Sequence, residues 1–297
     1  MSEPGSGRVA AAFLLLTLVW GTTWAVIRVG LAGIPPFTGV ALRFAIAGGL
    51  LLAIAPRLGV TFGRSRRELG LWASNALLSF CVSYSVVYWS EQYIPSGLTA
   101  VLFATNPLFV AAIAHVALPG ERLSPAAAAG LLLGFAGVAV IFSDDLALLG
   151  GGRVREAALV MLVSPAVSAL STVAIKRWGH GMHPLSLSAV PMLLCAVVMG
   201  PVAVVAESGA PVVLDGRSIG ALLYLALFGS ALTFTVYYWL LARVSATRAS
   251  LISYLIPIVA VALGAVLFDE PVRLRLLLGS ALVLAGVAVV TRLRRSG

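Results

Sequence analysis

The chain contains few charged residues. Only 10% of its 297 residues are Asp, Glu, Lys or Arg, whereas 60% are apolar. Soluble domains carry about a quarter charged residues, and the mean hydropathy of this chain is +1.04. The composition therefore excludes a water-soluble globular protein and predicts an integral membrane protein.

Cysteine and histidine are also scarce. The two cysteines, Cys81 and Cys195, fall inside apolar segments and show neither metal-ligand spacing nor a disulfide framework. The sequence has no HExxH and no GxSxG motif, and His180 and His183 lie in one loop near Lys176. We therefore predict no metal and no cofactor, and an intramembrane enzyme is the least favoured function.

No apolar segment carries a carboxylate near its middle. This absence argues against a deep acidic proton carrier and against strongly cationic substrates. His115 is then the only histidine inside a predicted span, and it is the residue on which proton coupling would depend. A lone membrane histidine is more often a hydrogen-bonded packing group, so proton coupling stays open.

The net charge of +9 comes from basic residues in loops and at the C-terminus. Their position fits topology signals better than a phosphate-binding face, so we predict no nucleic-acid partner. Short loops on the side of the N-terminus hold most of them, which predicts a multi-pass protein of the inner (plasma) membrane with both termini cytoplasmic. The clearest basic clusters are Arg57, Arg64, Arg66 and Arg67, and Arg292, Arg294 and Arg295.

Ten windows are long and apolar enough to span a bilayer. The predicted spans are residues 9–27, 37–55, 69–90, 97–118, 125–143, 157–175, 184–206, 218–241, 247–268 and 274–291. The first contains polar and aromatic residues where a signal peptide would have plain Leu and Ala, so we interpret it as a retained helix. The sequence thus predicts an all-α integral membrane protein with ten transmembrane helices.

The second half of the chain repeats the first. Tyr88-Trp89 corresponds to Tyr238-Trp239, Pro107 to Pro257 and Glu121 to Glu270, at an offset of 150 that becomes 149 after one deletion. We predict two repeats, residues 1–150 and 151–297. Five spans per repeat is an odd number, so the repeats should be inverted in the membrane, as in many transporters.

Several segments together resemble one known family. They are WGTTWAVIRVG at residues 20–30, PPFTGVALRFAIAGGLLLA at 35–53, the tyrosine-rich third span, the NP of the fourth, GER, and GFAGVAVI at 134–141. Their order, the duplication and the ten spans are similar to EamA-type members of the drug/metabolite transporter superfamily. The resemblance implies a ten-helix exporter-like fold with a central cavity lined mostly by the first, third and fourth helices and their partners. It leaves open whether the substrate is an amino acid, a nucleobase, a nucleotide sugar or another metabolite.

The two halves differ where the family resemblance places the cavity. Ile256 stands at the position that corresponds to Asn106, and no arginine of the second half corresponds to Arg43. We therefore expect a cavity that is more polar on one side. The partner of Arg43 stays open, and Glu91, on the same side of the membrane by topology, is the nearest candidate for an ion pair.

Polar residues inside a membrane need either a partner or a cavity. Serines and threonines at helical spacing, together with tyrosines four residues apart, predict a site for an amphipathic molecule of little charge. For the hydroxyl residues, packing between helices is the alternative, and for Tyr88 and Tyr238 it is an interfacial aromatic belt. The predicted substrate-binding residues are Trp20, Thr23, Ser79, Ser83, Tyr84, Tyr88, Asn106, Ser168, Ser171, Thr233, Tyr237, Tyr238 and Tyr254.

Two prolines at corresponding positions are predicted hinges. Pro107 and Pro257 each lack a backbone donor, so Pro107 should free carbonyls near Phe103. Freed carbonyls beside the Asn106 amide could bind a substrate ammonium or hydroxyl group. A kink that serves only packing is the alternative for each.

Small-residue faces recur in the fifth and tenth spans. Gly130 and Gly137 are seven residues apart, as are Gly279 and Gly286. Such faces let helices approach closely. We expect packing either between these two helices or between protomers, so a homodimer stays open.

The sequence predicts a secondary transporter, in the direction of export. Its expected partners are the lipid bilayer and a small neutral or zwitterionic metabolite, such as an amino acid, moved by alternating access around the cavity. One alternative is a transporter of anionic phosphorylated metabolites, in which Arg28, Arg43, Lys176 and Arg177 would face the cavity. The alternatives of another class are a non-transporting membrane protein and the intramembrane enzyme.

Overall fold

A computed structural model describes residues 6–141, 143, 152–259 and 274–292 of the chain. These residues form helices joined by short turns, and no strand occurs among them. The predicted all-α membrane fold is confirmed.

Within the described residues, seven helices are long and apolar enough to cross a membrane, and three shorter apolar helices occupy the places of the fifth, ninth and tenth predicted spans. The count of ten transmembrane helices therefore stays a prediction. The helices are α1 (Ser6–Leu31), α2 (Pro36–Ile54), α3 (Arg66–Ser90), α4 (Ser96–Ala117), α5 (Pro125–Ile141), α6 (Gly152–Trp178), α7 (Pro184–Ala206), α8 (Gly216–Leu241), α9 (Ala246–Val259) and α10 (Leu274–Arg292).

Some helices are interrupted. A π-helical segment lies inside α3 at Ala76–Val82, and another lies inside α8 at Leu227–Leu232. The helix α4 breaks between Phe103 and Asn106, and α6 breaks at Leu162. π-Helical turns inside α-helices, such as those in α3 and α8, often occur at functional sites.

The same local features recur 150 residues apart. A capping box at Ser65 and Glu68 starts α3, and one at Asp215 and Ser218 starts α8. The turn glycine Gly59 has φ 63° and Gly209 has φ 86°, a left-handed conformation that glycine adopts without strain. A duplicated sequence would produce these pairs of features. The division of the repeats between residues 150 and 151 lies outside the described residues, so it stays a prediction, as does the inversion of the repeats.

Glycines bring α5 and α10 into backbone contact. A Cβ atom at Gly137 would lie 2.6 Å from the carbonyl oxygen of Gly279, and one at Gly286 would lie 2.6 Å from the backbone nitrogen of Gly134. Only glycine permits this approach. The small-residue faces therefore join α5 to α10 within one chain.

The helix α7 is tied to the start of α2 by one carboxylate. The backbone N–H groups of Phe37 and Thr38 donate to the Glu207 carboxylate at 2.7 and 2.9 Å. These are N–H groups of the first turn of α2, which have no partner inside the helix. Glu207 thereby fixes the start of α2 against α7.

Large apolar side chains cover the outer surface. Val116, Val204 and Val205 are 86%, 73% and 78% exposed. A water-facing surface with such residues would be costly, so this surface fits contact with lipid.

A central cavity as candidate functional site

The structure contains a cavity of about 90 Å³ between α1, α3, α4, α6, α8 and α9. These include the first, third and fourth helices that the family resemblance implied. Aromatic rings, hydroxyl groups, one amide and aliphatic side chains form its wall. The residues that line it are Trp20, Thr23, Trp24, Ile27, Ser79, Ser83, Tyr84, Val87, Phe103, Asn106, Ser168, Thr172, Phe234, Tyr237, Tyr238, Ala249, Ser250, Ile252, Ser253 and Ile256.

One wall of the cavity consists of aromatic rings. The ring of Trp20 lies 5.4 Å from that of Phe234 and 5.5 Å from that of Tyr237, and Tyr84 lies 6.1 Å from Phe234. These tilted and edge-to-face contacts are the favourable geometries for aromatic pairs. The wall is therefore apolar and firmly packed.

Two hydrogen-bonded pairs involve hydroxyl groups of the cavity lining. The Ser83 Oγ lies 2.8 Å from the Ser164 Oγ, and the Thr172 Oγ1 lies 3.2 Å from the Tyr237 hydroxyl. Tyr84 lines the cavity, and its hydroxyl has no hydrogen-bond partner among the described residues. That hydroxyl can donate to or accept from a bound molecule.

Asn106 provides the amide of the site. It begins the second part of α4, directly after the break, and its Nδ2 donates to the Pro165 carbonyl at 3.0 Å. No donor within the described part of the chain pairs with its Oδ1. This oxygen is available to an ammonium or hydroxyl group in the cavity.

The two predicted hinge prolines lie beside the cavity without lining it. Pro107 is the second residue of the part of α4 that begins at Asn106, and it has no N–H to donate to the Phe103 carbonyl. In α9 the helical hydrogen bonding is interrupted at Leu251, several residues before Pro257. The two breaks therefore do not coincide, and the hinge roles stay predictions.

A buried arginine supports the aromatic wall from behind. Arg43 is 0% exposed; its Nε donates to Ser230 Oγ at 2.7 Å, and an Nη donates to the Gly229 carbonyl at 3.0 Å. Its guanidinium carbon lies 4.6 Å from the centre of the Tyr84 ring, a favourable cation–π distance. Arg43 thus joins α2 to the π-helical segment of α8.

The candidate ion pair between Arg43 and Glu91 is not formed. Both oxygens of the buried Glu91 carboxylate lack a hydrogen-bond partner among the described residues. This candidate partner was wrong because the guanidinium is bound by neutral groups of α8 and by the Tyr88 hydroxyl, 3.3 Å away.

Four of the predicted site residues lie outside the cavity. The Tyr88 hydroxyl accepts from Arg43, and the Tyr254 hydroxyl donates to the Leu131 carbonyl at 2.8 Å. Ser171 donates to Asn75, and the buried Thr233 hydroxyl has no partner in the described part of the chain. The structure brings the other predicted residues together around the cavity, namely Trp20, Thr23, Ser79, Ser83, Tyr84, Asn106, Ser168, Tyr237 and Tyr238.

Sequence reasoning missed the importance of Asn75. This fully buried side chain donates to the Leu187 carbonyl and to the Tyr238 hydroxyl, both at 2.9 Å, and accepts from Ser171 at 3.0 Å. The Leu187 carbonyl needs this donor because Pro191, four residues later in α7, has no N–H. Asn75 therefore replaces a missing helical hydrogen bond and holds a cavity tyrosine.

Other lining residues were also missed, and some had a local signal. Trp24 follows Trp20 by one helical turn, and its indole N–H has no acceptor among the described residues. The segment around Ser250 and Ser253 carries hydroxyl groups at helical spacing. The lining residues outside the predicted set are Trp24, Ile27, Val87, Phe103, Thr172, Phe234, Ala249, Ser250, Ile252, Ser253 and Ile256.

Comparison with known proteins agrees with the fold. The model of the EamA-like transporter family matches residues 8–143 and 155–292. The uncharacterized transporter YvbV of Bacillus subtilis is 27% identical over 98% of this chain and 93% of its own length. The uncharacterized inner membrane transporter YedA of Escherichia coli K12 is 29% identical over 94% of this chain and 89% of its own length.

Two further similarities concern function and fold separately. A probable terminal-alkyne amino-acid exporter of Streptantibioticus cattleyicolor is 30% identical over 95% of this chain and 92% of its own length. A solved crystal structure superimposes with a TM-score of 0.81 over 98% of both chains at 22% identity. The latter likeness supports the fold alone.

Proposed function

We propose that this chain, which belongs to the EamA-like transporter family, exports small neutral or zwitterionic amino acids and similar metabolites. It is a multi-pass membrane transporter and not an enzyme. The observation that carries the proposal is the composition of the cavity, in which none of the described lining residues is charged.

The cavity offers polar groups of both kinds to a zwitterion. The Asn106 Oδ1 accepts, serine and threonine hydroxyls donate or accept, and the Tyr84 hydroxyl is unpaired within the described residues. The aromatic wall suits an apolar side chain or carbon skeleton. An amino acid presents an ammonium, a carboxylate and a side chain, which these three features complement.

The positions of the basic residues favour neutral substrates over phosphorylated anions. The Lys176 Nζ donates to the carbonyls of Leu241 and Val244, and Arg177 donates to the Ala117 carbonyl. Arg28 and Arg43 likewise do not line the cavity. A phosphorylated substrate would require these cations to turn inward.

One relative supports the direction and the substrate class. The Streptantibioticus cattleyicolor protein is called a probable terminal-alkyne amino-acid exporter, and the match covers 92% of its length. We infer that this chain also works in the direction of export. Both termini then lie on the cytoplasmic side of the inner membrane, and the two repeats rock around the cavity. The helix break beside Asn106 is a suitable place for this motion.

Counterflow in proteoliposomes tests the proposal. Vesicles are preloaded with unlabelled neutral amino acids, nucleobases, sugar phosphates or organic cations, and uptake of the corresponding labelled compound is measured. We expect exchange of a neutral amino acid, which is reduced in Asn106→Ala and kept in Gln92→Ala, a change at an exposed loop residue. Exchange confined to sugar phosphates, or no exchange of any amino acid, would refute the proposal.

A further inference from the structure

Glu91 is a buried carboxylate at the end of α3. Its side chain is 2% exposed, and neither Oε1 nor Oε2 has a hydrogen-bond partner among the described residues. Its own N–H donates to the Val87 carbonyl at 3.0 Å. Tyr84, Val87 and Glu91 follow the spacing of one helical face, so Glu91 lies one turn beyond the cavity wall.

The charged groups that face Glu91 are occupied by other partners. Arg28 of α1 and Arg43 of α2 are the positive charges that act on it. Arg28 donates to the Ile94 carbonyl at 3.4 Å, and Arg43 donates to Ser230, Gly229 and Tyr88. Tyr88 is the titratable neighbour on its own helix.

The helix α6 packs against the same end of α3 and adds few groups that could bind Glu91. The guanidinium of Arg153 lies over the ring of Tyr93, 5.3 Å from its centre. Arg155 and Glu156 are exposed. No described residue of this helix donates to the Glu91 carboxylate.

Two protonation states of Glu91 require two different arrangements. An ionised carboxylate without hydrogen bonds is very costly away from water, whereas a protonated carboxyl costs far less. The arrangement described here, with both arginines bound elsewhere, suits the protonated acid. An ionised Glu91 would need a charge-assisted bond from Arg28 or Arg43.

We propose that Glu91 is the proton-binding site that couples transport to the proton gradient. One carboxylate oxygen takes a proton from solution on one side of the membrane to form the neutral acid, and it releases that proton to solution on the other side. When the proton leaves, the carboxylate draws the guanidinium of Arg43 toward it. The inference rests on the proposed transport function.

Arg43 provides the connection from the proton to the substrate. Its guanidinium packs on the Tyr84 ring of the cavity wall and binds the π-helical segment of α8. A shift of this one group toward Glu91 would remove support from both. His115, the earlier candidate for proton coupling, is exposed, and its Nδ1 accepts from the Leu123 N–H, so it serves as a turn contact.

Proton-driven accumulation in proteoliposomes tests the role of Glu91. With a lumen more acidic than the medium, we expect the wild-type protein to accumulate a labelled neutral amino acid several-fold above the level at equal pH. Glu91→Gln should lose this accumulation, Glu91→Asp should retain part of it with a changed pH dependence, and Glu156→Gln should behave as wild type. Wild-type counterflow without any effect of the pH difference would overturn the inference and leave the proposed function standing.

Infrared difference spectroscopy tests the protonation itself without transport. The wild-type protein and Glu156→Gln should show a carboxylic-acid C=O band that is lost as the pH is raised. Glu91→Gln should lack that band while remaining monodisperse in size-exclusion chromatography. A spectrum that is the same in Glu91→Gln and wild type would overturn the inference, whatever the result for transport.

Discussion

The Asn75 side chain holds helices together beside the cavity, and its removal has a cost that the structure allows us to estimate. In Asn75→Ala, the Leu187 carbonyl, the Ser171 hydroxyl and the Tyr238 hydroxyl each lose a partner. The Leu187 carbonyl has no replacement donor from its own helix because residue 191 is proline. We therefore expect a large loss of stability from one small substitution.

The magnitude follows from the three partners. Hydrogen bonds between membrane helices contribute about 0.6 kcal/mol on average, which gives about 2 kcal/mol for three partners. A buried polar group left without a partner costs about 1–3 kcal/mol, so the orphaned carbonyl raises the total. We expect Asn75→Ala to lower the free energy of unfolding by about 3–5 kcal/mol.

Unfolding by SDS titration from mixed micelles, followed by far-UV circular dichroism, measures this loss. Ser74→Ala is the matched control, because Ser74 makes only a local bond to the Leu71 carbonyl and should change stability by less than about 0.5 kcal/mol. A double-mutant cycle with Tyr238→Phe should give a coupling energy of about 0.6 kcal/mol, and at most about 1.7 kcal/mol. If Asn75→Ala costs no more than Ser74→Ala, the hydrogen bonds by which Asn75 joins α3 to α6, α7 and α8 are not formed as described.

Three further substitutions test other contacts. Gly137→Leu should separate α5 from α10 and lower the free energy of unfolding by about 1–3 kcal/mol through overpacking. Gly49→Leu is the control, because a Cβ at Gly49 would meet nothing within 4 Å, and it should not lower stability. Equal midpoints of SDS unfolding for the two variants would refute the described packing of α5 on α10. Arg43→Lys keeps the charge but loses the guanidinium fork, so the thermal midpoint should fall; an unchanged midpoint would refute the Arg43 junction. The backbone N–H and the hydroxyl of Ser218 lower the pKa of Asp215 below its usual 3.8. The ionised Asp215 cap should stabilise α8 fully at pH values above 3.8, the usual pKa of aspartate. The stabilisation should be lost as the pH falls through the lowered pKa of the folded protein. Acid titration of stability should therefore flatten in Asp215→Asn, and an unchanged slope would contradict the cap.

Local sequence patterns were sufficient to predict the helices and nine of the twenty residues that line the cavity. Apolar windows located α1 to α10 because each span must satisfy its own backbone in lipid. Helical spacing predicted that Ser79 and Ser83 share one face of α3, and both residues line the cavity. These features depend on neighbours within a few residues.

The connections between helices could not be predicted in this way. Arg43 binds Ser230, 187 residues later, and nothing near either residue specifies the other. Asn75 meets a carbonyl freed by Pro191, which becomes apparent only when α3 and α7 are placed together. Tyr254 has a ring and a hydroxyl suited to a binding site, but its hydroxyl donates to the Leu131 carbonyl of α5.

The duplication predicted that the two halves would have the same local structure, but the structure shows differences between them. The landmark prolines correspond, yet α9 is interrupted at Leu251 while α4 is interrupted just before Asn106. With Ile256 in place of an asparagine, α9 has no amide to hold a neighbouring carbonyl. The polar centre of the cavity therefore depends more on α4 than on α9.

The central claim is that substrate binds in the cavity, and a matched pair of tyrosine substitutions tests it most directly. Tyr84→Phe removes a hydroxyl from the cavity wall, and Tyr254→Phe removes one that is bound to the Leu131 carbonyl outside it. In amino-acid counterflow, we predict that Tyr84→Phe raises KM about 2- to 12-fold, the equivalent of one hydrogen bond of about 0.5–1.5 kcal/mol, while Tyr254→Phe leaves KM unchanged. A KM that changes in Tyr254→Phe but not in Tyr84→Phe would contradict the account.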